Sequence, residues 1–198
     1  MPTNDTDDLE IELPTRTPDL RSAMLFALVA AAMGSLWWFS WQPPVFSLVL
    51  FVNLLALSWY DYHYFRLPNL LTLALALASG ALLVTLPPEW VIDHVVGGAV
   101  GLLFFPALNM LYTALRGRSG IGLGDAKLLA GIGLWLGWFN LPFVLLTASL
   151  AALVVVSLFF LFTHGENRKQ VVKKPIPFGV FLCFGAWVSW IFPQIWNY

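Results

Sequence analysis

Apolar and polar positions in this chain are arranged in blocks, with long apolar runs separated by short polar breaks. A helix needs about 20 apolar residues to cross the hydrocarbon core of a bilayer, and helices are the only open-ended elements whose backbone is satisfied there. Seven runs are candidates: Ala23–Trp41, Val45–Tyr60, Leu70–Leu86, Val91–Leu115, Ala126–Phe139, Pro142–Thr163 and Ile176–Ile195. The pattern predicts an all-α polytopic membrane protein with about seven transmembrane helices, six to seven. The fifth run is short for a span, so a thinned or protein-lined setting is expected for it. The breaks are "WQPP", "DYHYFRLPN", "PPEW", "RGRSGIGLG", "NL" and "HGENRKQVVKKP". Neither a repeat nor a second domain is visible, and residues 23–198 read as one transmembrane domain.

Composition agrees with the pattern. Of the 198 residues 59% are hydrophobic and only 11% charged, and the mean hydropathy is +0.78, which excludes an ordinary soluble domain. The net charge of -1 hides an uneven distribution. Six acids (Asp5, Asp7, Asp8, Glu10, Glu12 and Asp19) lie in a Pro- and Thr-rich head, residues 1–22, expected to be disordered. An acidic leader before a full-length apolar run reads as preceding an uncleaved anchor, not a signal peptide. Counting sides alternately, Arg16, Arg21, Arg66, Arg116, Arg118, Lys127, Arg168, Lys169, Lys173 and Lys174 all fall on one side. The opposite breaks hold Glu89 and Asp93, with Trp41, Trp90 and Trp138 as an interfacial belt. Basic residues in short loops mark the cytoplasmic side, so the N-terminus and the head are expected inside and the C-terminus outside. Cys183 is the single cysteine, which excludes a disulfide framework or a paired-cysteine zinc site within the chain.

With the head and the outer acids set aside, Asp61, Asp125 and Glu166 remain. Glu166 sits among bases in "HGENRKQ" and reads as a solvated loop residue. Asp61 ends the second run and Asp125 opens the fifth. Two runs separate them, an even number, so both carboxylates return to the same membrane face. Two carboxyls held close together cannot both ionise and share a proton, the arrangement of an aspartic protease. One takes a proton from the attacking water while the other donates to the developing oxyanion. Each residue's own helix end casts Asp125 as base and Asp61 as acid.

Simpler readings stand beside this one. Asp125 fits a helix N-cap, and Asp61 fits the end of a span. Intramembrane carboxylates also serve proton or cation transporters. Both acids lie at one face, however, and Asn53 and Asn109 are most of the polar chemistry inside the runs. Gly97 with Gly101, and Gly133 with Gly137, have the spacing of helix-packing positions. Gly120, Gly122 and Gly124 lie in a loop, where glycine allows unusual backbone angles or close approach of a substrate backbone.

Three stretches carry a family resemblance. "DYHYFRLPN" resembles the first signature of the type IV prepilin peptidases, an Asp seven residues before Pro-Asn. "GLGDAKLLAGIGLWLGW" resembles their GxGD motif and its continuation, and "KPIPFGVFLCFG" their late Ile-Pro-Phe-Gly element. The order and spacing match over most of the chain after about Leu50. The resemblance implies a single transmembrane peptidase domain in the inner membrane, multi-pass, with its active site facing the cytoplasm. It implies an aspartic endopeptidase that cuts the basic leader from prepilins or pseudopilins, with the lipid bilayer as its other partner and no nucleic acid or cofactor. Carried over, Asp61 and Asp125 are the catalytic pair, and Gly122, Gly124, Pro68 and Asn69 are substrate-binding positions.

His63 stands where many members have a second Asp, either as a plain polar contact or as a residue that tunes Asp61. Lys127 and Arg66 would repel a basic leader, so they read as topology determinants or lipid-phosphate contacts. Many bacterial members carry, after the first span, a domain with paired cysteines for zinc, and that form also methylates the new pilin terminus. Here that link is "SWQPP" and Cys183 is alone, so a peptidase without methyltransferase, metal or S-adenosylmethionine is expected. Archaeal preflagellin-type and presenilin-like proteases share GxGD and remain alternatives, as does a non-catalytic scaffold.

Overall fold

The structure, a computed structural model, describes Ala31, Gly34 and residues 43–116, 122–162 and 177–192. The expectations for the acidic head, for the run Ala23–Trp41, for Gly120 and for the basic break holding Glu166 lie outside the described residues. Among those described there are six helices: α1 (Pro44–Tyr64), α2 (Asn69–Leu83), α3 (Pro88–Arg116), α4 (Leu123–Leu136), α5 (Leu141–Phe162) and α6 (Phe178–Ile191). They fall on the second to seventh apolar runs. Pro44–Tyr64, Pro88–Leu115 and Leu141–Leu158 are long and apolar enough to cross a membrane, and Asn69–Leu83 and Phe178–Ile191 are apolar but shorter. Large apolar side chains such as Leu103 and Leu153 stay exposed on the outer faces, surface unsuited to water.

The break "DYHYFRLPN" stops one helix and starts the next. Phe65 takes the left-handed conformation (φ 50, ψ 33) and returns its N–H to the Asp61 carbonyl at 2.9 Å, closing α1. Pro68 restricts Leu67 to extended backbone and then caps α2, its carbonyl accepting the N–H groups of Leu71 and Thr72 at 3.1 and 3.2 Å. The chain therefore reverses within four residues, and Asp61 is left in the final turn of α1.

α4 lies at the centre, packed against α2, α3, α5 and α6. Beyond Lys127 its side chains are apolar on every side, and Leu128, Leu129, Ile132 and Trp135 are completely buried. Its 14 residues span about 21 Å, against ~30 Å for a hydrocarbon core. Neighbouring helices line it, as the shortness of the run led us to expect.

The closest contact is between α3 and α4. A Cβ on Gly97 would stand 2.5 Å from the Gly133 carbonyl oxygen, and one on Gly133 would strike the Gly97 carbonyl. Gly101 is pressed against the Leu129 carbonyl in the same way. These three glycines are packing positions, as their spacing predicts. Gly137 packs there too and has a second task. It ends α4 at φ 81, ψ 166, a region open to glycine alone, with the Asp93 carboxylate against its Cα. The Trp138 N–H donates to the Asp93 carbonyl at 3.3 Å and the His94 Nδ1–H to the Leu134 carbonyl at 3.0 Å. The first turns of α3 thus clamp the last turn of α4.

Candidate active site

Asp61 is 6% exposed although it carries a carboxylate. Its Oδ2 accepts the Val180 N–H at 3.2 Å, and the Gly179 N–H is a second main-chain donor to the same carboxylate. Pro177 is the N-cap of α6, so these are N–H groups of the first turn, which have no partner inside the helix. A Cβ on Gly179 would lie 2.7 Å from Oδ2 and 2.9 Å from Cγ of Asp61. The late glycine is therefore what lets the carboxylate reach the end of α6.

Asp125 is the third residue of α4, half-buried, and lies within electrostatic reach of Asp61. The N-cap of α4 is Gly122, and no side chain caps the helix, which removes the N-cap reading of Asp125. The Cys183 thiol, fully buried one turn into α6, touches Ser58 and is reached by both carboxylates. Asp61 and Asp125 thus lie within electrostatic reach of each other at one end of the bundle, at the end of α1 and the start of α4.

The remaining expected residues surround the pair in different ways. Asn69 opens α2, and its Oδ1 accepts a hydrogen bond from Lys127 Nζ at 2.8 Å, joining the first motif to the second. This contact gives Lys127 a partner inside the protein that the sequence did not reveal. Leu67 lies beneath Gly124, 3.6 Å from where a Cβ would sit. Gly122 is exposed with nothing within 4 Å of an added Cβ. Neither glycine has a positive φ, and Gly122 is ordinary extended backbone at φ -73, ψ 136. Unusual backbone angles are therefore not what Gly122 and Gly124 supply, because an extended cap suffices to start α4. His63 donates from Nδ1 to the Trp59 carbonyl at 2.9 Å and stacks on the Trp59 ring at 4.1 Å. It is a polar contact within α1, and its Nε2 has no partner among the described residues. Among the described residues no group of three His, Cys, Asp or Glu stands close enough to hold a metal ion.

The role assignment from each residue's own helix end left one neighbour out of account. The C-terminal end of α1 is only half of the surroundings of Asp61, since the N-terminus of α6 is aimed at it. The stretch that does this, "IPFG", is visible in the sequence, but nothing local reveals which side chain it meets.

The model of the type IV leader peptidase family matches residues 48–157. The chain belongs to that family. Among its curated relatives, the prepilin leader peptidase/N-methyltransferase of Aeromonas hydrophila is 36% identical over 174 residues, 86% of this chain and 56% of that protein. The proteins of the same name from Stutzerimonas stutzeri and Pseudomonas aeruginosa are each 33% identical, over 86% of this chain and 56% of their own length. This leader peptidase family chain therefore spans little more than half the length of the relatives it matches. No solved structure matches it significantly.

Proposed function

We propose that the chain is a membrane-embedded aspartic endopeptidase that removes the basic leader of type IV prepilins or pseudopilins. The observation that carries this reading is that Asp61 and Asp125, from helices separated by two others in the chain, lie within electrostatic reach of each other at one end of the bundle. Family membership supplies the substrate class.

Hydrogen bonds from main-chain N–H groups favour the charged form of a carboxyl, and on that ground Asp61 is assigned as the carboxylate that takes a proton from water. As that water oxygen bonds to the scissile carbonyl carbon, Asp125 donates its proton to the carbonyl oxygen. Collapse of the tetrahedral adduct breaks the C–N bond, and a proton passes to the leaving nitrogen. The roles are thus the reverse of those expected from own-helix ends. The open space over Gly122 is room for an extended substrate backbone, a strand-like mode of binding. Pro68 and Asn69 are the other substrate-binding positions of this reading, with Asn69 held by Lys127.

Exposed Arg66 and Lys127 share the end of the bundle that holds the two aspartates, which supports an active site on the cytoplasmic face. With the run Ala23–Trp41 as a further span, the reading is a seven-span inner-membrane peptidase domain, 23–198, preceded by an acidic cytoplasmic head. A single cysteine in the sequence supports peptidase activity without methyl transfer.

The test is to incubate the purified protein in lipid with a prepilin and look for the shortened product by mass. Asp61→Ala and Asp125→Ala are each expected to lower the rate by at least ~10²-fold. No cleavage of any pilin-like substrate by the natural protein, or full cleavage by both variants, overturns the proposal.

A further inference from the structure

The contact between Asp61 and the start of α6 is more than an acid pair requires. α1 and α6 run antiparallel, and their register is set along the whole length. At the far end the Trp190 Nε1–H donates to Ser47 Oγ at 2.9 Å, and Phe51 packs on Trp187 with ring centroids 5.0 Å apart. Nearer the site Ser58 meets Cys183, and the last step of the ladder brings Gly179 and Val180 onto Asp61. Ser47 and Asp61 are 14 residues apart, about 21 Å along α1. A helix held in register from so far away delivers its first-turn N–H groups to one place, and the missing Cβ of Gly179 is what leaves the place vacant.

Two main-chain donors on one carboxylate restrict its rotation. With Oδ2 engaged by Val180, Oδ1 is the oxygen left for water and for Asp125. We propose that the main-chain N–H groups of Gly179 and Val180 hold the Asp61 carboxylate in its working orientation, which makes Gly179 a positioning residue of the peptidase site. The late Ile-Pro-Phe-Gly element then acts on the reaction through Asp61, without touching substrate. This inference rests on the peptidase reading for its kinetic consequence, but the contact itself is independent of substrate.

The test has two arms. In the first, prepilin cleavage is measured for the natural protein, for Gly179→Ala, and for protein in which Val180 is replaced by α-hydroxyvaline. That ester removes one N–H and leaves the side chain unchanged. Both variants are expected to lose about 100-fold in kcat with KM within about twofold, because the carboxylate is misplaced while substrate contacts remain. Melting of the ester protein should match the natural one.

In the second arm, the Asp61 carboxyl is titrated by infrared difference spectroscopy in Asp125→Asn protein, with the Asp61→Asn spectrum subtracted. Among the described residues the titratable groups shown to reach Asp61 are Asp125 on α4 and Cys183 on α6, so in this background Cys183 is the remaining one of the two. Loss of the N–H is expected to move the Asp61 midpoint by about one pH unit. If Gly179→Ala fails to fold, the ester protein decides. An ester protein with unchanged kcat and an unchanged Asp61 midpoint overturns the inference. If the natural protein cleaves no pilin, the peptidase reading falls and the infrared midpoint alone judges the positioning contact.

Discussion

Replacing Gly97 by Ala tests whether backbone contact between α3 and α4 sets the position of Asp125. The added Cβ would lie 2.5 Å from the Gly133 oxygen, 2.7 Å from the Trp138 nitrogen and 2.8 Å from the Gly137 carbonyl carbon. All three are main-chain atoms, so no side chain can rotate away. Restoring an ordinary contact of 3.4 Å requires the helices to part by about 0.9 Å, and overpacking of this kind costs ~1–3 kcal/mol. Gly133 is eight residues from Asp125, about 12 Å along α4, so the displaced helix carries the carboxylate with it. A shift near 1 Å in a reacting group lowers a rate by about 100-fold. Prepilin cleavage and thermal melting in the same lipid, with Gly80→Ala as control, measure both effects. Gly80 lies within α2 with nothing within 4 Å of an added Cβ, so there Ala should stabilise by ~0.5–1 kcal/mol. Equal behaviour of Gly97→Ala and Gly80→Ala in both measurements would refute the reasoning.

Gly122→Ala should leave melting within ~0.5 kcal/mol of the natural protein and raise KM for prepilin, since the space it fills is open; a loss of stability with no change in KM would show that the glycine serves the fold. Asn69→Ala and Lys127→Met should each cost ~0.5–1.5 kcal/mol, and the double variant about the same as either one, because both remove the same 2.8 Å hydrogen bond. Additive losses would mean that the two residues act separately. The pH dependence of kcat/KM should be bell-shaped, falling on the acid side when the pair takes up a second proton and on the alkaline side when it loses the shared one. Activity unchanged across the carboxylate range would argue against a shared-proton pair.

The six apolar runs that the described residues cover coincide with helices because span length and backbone satisfaction are local requirements, readable from a run of residues. The packing glycines Gly97, Gly101 and Gly133 were legible for a similar reason, since a spacing of four places them on one helix face. Gly137 shares that packing, but its second role as the end of α4 was not legible, because it depends on where the α4 end meets Asp93. An even number of runs between Asp61 and Asp125 is likewise a count along the chain, and it places both carboxylates at one end of the bundle. Their lateral approach is another matter, since parity says nothing about which helices are neighbours. It depends on α4 sitting at the centre, enclosed by four others.

The roles of the acids depend on still longer-range contacts. Each Asp's own helix end pointed to Asp125 as base, yet Val180, 119 residues beyond Asp61, donates to the Asp61 carboxylate. The Lys127 to Asn69 hydrogen bond spans 58 residues, and the two were read from the chain separately, Asn69 as a substrate-binding position and Lys127 as a topology determinant or lipid-phosphate contact. Periodicity and charge order constrain what each helix is and which end of it faces which side, because those follow from a residue and its near neighbours. The donor to a buried carboxylate is set by the register between helices, and that register comes from packing along their whole length.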